Sequence, residues 1–185
     1  MGDDQAQQRE QTRAELDKAA RALQAQRDIA TGLLTEDLSI AQRVQSLGFT
    51  EETAKVFDLL PVIHVAWADG EVQQPEREAI ARVLEVRGIE EGSAGHLLIS
   101  SLIEEHPGEA YIAETLSIIR ELVAVNKRRA EALVDLCYVI AEAHGGGMFG
   151  FRDPIDQSER KALYRVAEAL GDRAELWLKA KFGEL

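Results

Sequence analysis

From about Leu33 onward, the large apolar side chains recur three and four residues apart, and each such run is bounded by Gly, Pro or Asn. Residues at that spacing return to one face of a helix, so each run buries a continuous stripe only if it is helical. No segment sustains the period-two alternation of a half-buried strand. The expected fold is all-α, a compact bundle of about seven to nine helices.

Ahead of that region, Gln5 to Ile29 is rich in Ala, Gln, Glu, Arg and Lys, with Leu16 and Leu23 seven apart and Ala19 and Ala30 on the same stripe. A helix with a thin apolar seam is expected there. Thr12 and Gln26 interrupt the seam, which is too sparse for a strong coiled coil. Residues 1–34 are therefore expected to form a polar helical arm, and residues 35–185 a helical domain.

Within the domain, a helix is expected from Thr35 to Leu47, with Gly48 as its stop. Thr50 caps the next, where Thr53 at the third helical position is expected to form no reciprocal capping box. That helix carries Val56, Phe57, Leu59, Leu60, Ile63, Val65, Ala66 and Trp67, so it should be the central core element, kinked or broken at Pro61. Pro75 opens a helix to Val86, with Ala79, Ile80, Val83 and Leu84 inward and Gly88 closing it. Further helices are expected from Ser93 to Glu105 (Leu97, Leu98, Leu102 and Ile103 inward), Pro107 to Val123 (Ile112, Leu116, Ile119, Leu122 and Val123), and Asn126 to Ala143 (Leu133, Leu136, Cys137 and Ile140). Gly145 to Phe151 is expected to be a loop, because glycine costs about 1 kcal/mol against alanine in a helix interior. Asp156 and Glu159 read as a capping box opening a helix with Leu163, Val166, Ala167 and Leu170 inward; Gly171 ends it, and Asp172 to Phe182 forms a short final helix.

Charge narrows the function classes. Lys and Arg total 21 against 33 Asp and Glu, a formal net charge of −12, which repels nucleic-acid backbones, and the one dense basic cluster, Lys127-Arg128-Arg129, reads as a solvated helix start. Cys137 is the only cysteine, so no disulfide closes within the chain, and its place on an apolar stripe makes it a small core residue. No apolar run reaches the length that spans a bilayer, and no leader is recognisable; the expected location is the cytoplasm. The phosphate-loop, dinucleotide, nucleophile-elbow and zinc-protease patterns are absent, so no catalytic set is expected.

The most informative segment is the turn Ala68-Asp69-Gly70-Glu71. Leu59 to Gly70 can be laid over Val134 to Gly145, which places Ala66 on Ala141, Ala68 on Ala143 and Gly70 on Gly145. After a longer second loop, Val72 to Ile80 falls on Ile155 to Leu163, so that Gln74, Glu76, Arg77 and Ala79 recur as Gln157, Glu159, Arg160 and Ala162. Two degenerate helical hairpins packed on one another are expected. In the second, His144 stands where Asp69 stands in the first.

Ala66-Trp67-Ala68-Asp69-Gly70-Glu71-Val72, followed by Glu76 and an apolar-periodic helix, resembles the signature of TerB-like domains of the tellurite-resistance group, which also occur in DjlA-type co-chaperones; the resemblance runs from Thr50 to Phe182. It implies a duplicated all-α bundle with acidic turns for which metal binding has been suggested, and a link to stress response or envelope-associated assemblies.

The candidate chemistry is therefore a divalent ion (Ca, Mg, Mn or Zn) at Asp69, Glu71 and Glu76, with Asp156, Glu159 and His144 from the second hairpin, since hard cations take oxygen clusters. The alternative for the same residues is structural: acidic side chains at helix starts cap free amides and suit the helix dipole, and Asp-Gly is an ordinary turn. Asp153 lies in the same region of the second hairpin. His64, His96 and His106 read as single core or surface histidines, and Trp67 and Trp177 as core. Met148, Phe149 and Phe151 either tuck into the core or form a contact surface. The expected function is that of a non-enzymatic interaction module engaging a protein partner or a second copy, with or without an ion. A metal-dependent hydrolase is the remaining enzymatic alternative.

Overall fold

The computed structural model describes residues 2–124, 127–144 and 155–184, with side chains over 7–124, 129–143 and 155–184. Among the described residues there are helices and no strands, and none of the helices is long and apolar enough to cross a membrane. The chain divides into two compact units, Met1–Ala54 and Lys55–Leu185.

The first unit holds α1 (Gly2–Leu33), α2 (Leu38–Ser46) and the single turn α3 (Glu51–Ala54). Good helix formers carry α1 past the expected limits, but among its described side chains only the C-terminal end is packed: Ile29, Ala30 and Leu33 are buried with Ile40, Ala41 and Val44 of α2 and Ala54 of α3. Leu16 and Leu23 stay exposed. α2 starts later than Thr35 because Asp37 caps it, its Oδ1 accepting the Ser39 N–H at 2.8 Å. At α3 one half of a capping box does form, since the Thr53 hydroxyl accepts the Thr50 N–H at 2.8 Å in the place a Glu would take.

The second unit begins with a 3-10 turn, Phe57–Leu59, and continues through α4 (Leu60–Ala66), α5 (Gln74–Val86), α6 (Ala94–Glu104), α7 (Glu109–Ala124), α8 (Lys127–His144), α9 (Gln157–Leu170) and α10 (Asp172–Lys181). The single helix expected from Thr50 through Trp67 is therefore three pieces. Pro61 sits in the first turn of α4, where its missing N–H is harmless, so it marks a restart instead of kinking a continuous helix. α4 is the central element: every residue from Leu60 to Ala66 is buried, and the helix packs on α7, α8 and α9. α5 lies on α8, and α10 lies on α8 and α9.

The residues that the periodicity selects on α7 and α9 are all buried, and on α7 Thr115 and Ile118 are buried besides. α6 differs: Gly95, Ile99 and Ile103 are buried, whereas Leu97 is exposed. A Cβ at Gly95 would stand 3.1 Å from Val56 Cγ1, a tight contact that glycine avoids, and a glycine adds no apolar bulk to the sequence pattern. Val83 and Leu136 are only half-buried. Trp177 is a correction as well: it lies at the surface and donates its Nε1–H to Asp135 Oδ1 at 2.8 Å.

Candidate functional site

α4 ends at Ala66, and the turn that follows is anchored from both sides. Trp67 Nε1–H donates to the Leu102 carbonyl at 2.8 Å, and the Trp67 ring meets the His106 ring edge-on with centroids 5.3 Å apart. Gly70 has φ of 97°, a conformation that glycine adopts without strain, and its N–H closes the turn on the Trp67 carbonyl at 3.0 Å. Val72 is buried beneath the turn, and Arg77 reaches back to donate through Nε to the Val72 carbonyl at 2.9 Å and through Nη2 to the Ile103 carbonyl at 3.4 Å.

The acidic residues of this turn are engaged in holding it. Asp69 accepts the Glu71 N–H on Oδ1 at 3.4 Å and the Gln73 Nε2–H on Oδ2 at 3.0 Å. Glu76 is only 2% exposed, and its Oε2 accepts the Gln73 N–H at 2.8 Å, which satisfies a donor at the start of α5. Glu71 is exposed.

The start of α9 uses the same device. Asp156 N–H donates to Glu159 Oε2 at 2.6 Å, and Glu159 N–H donates to Asp156 Oδ1 at 2.8 Å, the reciprocal capping box expected from the sequence. Glu159 is also 2% exposed, and Ile155, like Val72 in the first hairpin, is buried. The two arginines part company, since Arg160 pairs with Glu184 at 2.5 Å and lies over the Phe182 ring, 4.1 Å from its centroid.

Among the described residues, no group of three or more His, Cys, Asp or Glu side chains stands placed to hold a metal ion. Of the set Asp69, Glu71, Glu76, Asp156 and Glu159, the two buried members face backbone amides at separate helix starts. The side chain of His144, the loop from Gly145 to Phe151, and Asp153 lie outside the described residues, as do the side chains of Lys127 and Arg128. Arg129, from the same basic cluster, approaches Asp58 at 3.5 Å.

His64, read from the sequence as a single core or surface histidine, is a core one. It is 8% exposed, and its Nε2 finds no hydrogen-bond partner among the described residues. Leu60, Ile63, Tyr111, Ile112 and Thr115 wall the small cleft beside it. Burial, reinforced by Arg165 and opposed by Glu109, pushes its pKa down to about 4, so the imidazole stays neutral. Glu109 and Arg165 are themselves paired at 2.7 Å. The available signal was that a histidine inside a helix apolar on every face has no route to water. Cys137 is buried, and the loss of solvent holds its thiol far above the ordinary range, so it is not a nucleophile.

No curated protein and no solved structure matches the chain. A family model described as tellurite resistance protein TerB matches residues 59–181, from the 3-10 turn before α4 to the end of α10, and so takes in both acidic helix starts and the hydrogen bonds that close them. By that match over most of the second unit, the chain belongs to the TerB family.

Proposed function

We propose that this TerB-family domain works in the cytoplasm by binding other proteins through its helical surface, in the stress-response or envelope-associated assemblies that its family suggests, and not by catalysis. The acidic turn residues serve as locks on the starts of α5 and α9. The observation that carries this reading is the burial of Glu76 and Glu159, each closed on a backbone N–H instead of being presented to a ligand. Among its described residues the second unit also exposes large apolar side chains, Val86, Leu97, Val139 and Leu176, on four different helices.

Two measurements test it. Isothermal titration of the chain with Ca²⁺, Mg²⁺, Mn²⁺ and Zn²⁺ should give no binding heat that depends on Asp69; saturable heat lost in Asp69→Ala would restore an ion to the site. Affinity capture should return a set of proteins that changes when exposed apolar residues become charged, in the pairs Leu97→Asp with Leu176→Asp, Val86→Asp with Val139→Asp, or Leu16→Asp with Leu23→Asp. A captured set indifferent to every pair defeats the interaction reading.

A further inference from the structure

We propose that the groove between α5 and α8 is a self-complementary face through which two copies of this chain pair about a two-fold axis. The inference rests on the reading above, that the domain acts through protein contacts, and names one contact surface.

α5 and α8 pack side by side, and the groove along their outer edge has an apolar floor. Val83 and Leu136 are half-buried in it, while Val86 is 88% exposed and Val139 is 54% exposed. Each helix thus offers two apolar side chains three residues apart, and a helical surface brings such pairs onto one face. The described residues of the rest of the unit do not cover them.

The edges of the groove carry opposite charge. On the α5 side stand Arg82 and Arg87, the latter paired to Asp58 at 2.6 Å; on the α8 side stands Glu142. Arg82 and Glu142 make no ion pair among the described residues, and both are exposed. An apolar strip with one basic and one acidic edge complements a second copy of itself. A two-fold axis lying along the helices sets α5 of one copy over α8 of the other and brings the Arg82 edge against the Glu142 edge. A two-fold axis across the helices would set Arg82 over Arg82. Charge therefore selects the first arrangement, which closes on itself as a dimer and leaves no free face for a filament.

Sedimentation velocity of the full chain over a concentration series up to about 200 µM tests the pairing, a range that detects even a weak dimer. The expected result is a concentration-dependent dimer that Val86→Asp with Val139→Asp abolishes while the helical circular dichroism and melting are unchanged. Arg82→Glu and Glu142→Arg should each weaken the dimer by about tenfold, and the two combined should restore it, because the swapped edges again oppose unlike charge. A chain that stays monomeric throughout, a dimer untouched by the two aspartates, or a double reversal no better than its single members overturns the pairing. If the chain is monomeric and the same groove variants alter the captured proteins, the groove belongs to a foreign partner: the pairing is then wrong and the interaction reading stands.

Discussion

α4 and α8 occupy corresponding places in the two sequence segments that align, and the alignment puts His64 on Val139. Their environments are inverted. The polar residue is buried in the central helix, with one ring nitrogen unpartnered, and the apolar residue is 54% exposed on the outer one. α4 is covered on three sides by α7, α8 and α9, so whatever it carries is buried. α8 shares its faces with several neighbours, but the described residues leave an edge beside α5 open. Helical periodicity tells which residues share a face; it does not tell how many neighbours that face will meet.

The largest expected effect in this comparison is acid sensitivity. His64 has a folded pKa of about 4 against 6.5 for a free imidazole, so the unfolded chain takes up the proton first. The stability contributed by keeping His64 neutral is therefore complete above about pH 6.5 and is lost as pH falls toward 4, by about 3 kcal/mol in all. Urea unfolding at several pH values should show this fall, and His64→Leu should flatten it. The reciprocal Val139→His, placed at the surface, should add no pH dependence of that kind.

Next in size are the two buried glutamates. Removing a charged acceptor from a buried backbone donor costs roughly 2 kcal/mol, so Glu159→Ala and Glu76→Ala should each lower the unfolding free energy by about that much, with the Gln variants losing about half. The starts of α5 and α9 should then separate: Asp156→Ala removes a direct cap and should cost about 1 kcal/mol, whereas Asp69→Ala acts through Gln73 at an exposed turn and should cost about half that. Equal costs would mean that Asp69 does more than brace its turn. Smallest of all, Val139→Asp should shift stability by no more than about 0.5 kcal/mol, as expected of an exposed position, while weakening any dimer.

Much of the fold was legible because the apolar period and the breakers agree. The Asp156 and Glu159 capping box, the stripes of α7 and α9 and the stop at Gly171 all follow from local chemistry. The failures share a cause in tertiary contact. Gly95 is buried because Val56 packs against the place where its side chain would be, and a glycine adds nothing to an apolar count. Trp177 lies at the surface because Asp135 of α8 accepts its indole N–H, a pairing no local pattern reveals. Of the site, the residues were legible but their use was ambiguous: an acidic side chain near a helix start looks the same in sequence whether it faces an ion or an amide. Glu76 and Glu159 are buried against backbone amides, a fact that no composition or spacing argument could have supplied.

The most direct test of the claim that these acids lock helices is a thermal melt of the wild type and the Glu76→Gln, Glu159→Gln double variant, in EDTA and in about 1 mM Ca²⁺, Mn²⁺ or Zn²⁺, since a ligand bound only by the folded state raises the midpoint. The account predicts a wild-type midpoint that is the same in EDTA and in every ion, and a double variant that melts several degrees lower in all of them. A wild-type midpoint that rises with one ion and loses that rise in Asp69→Ala would contradict it.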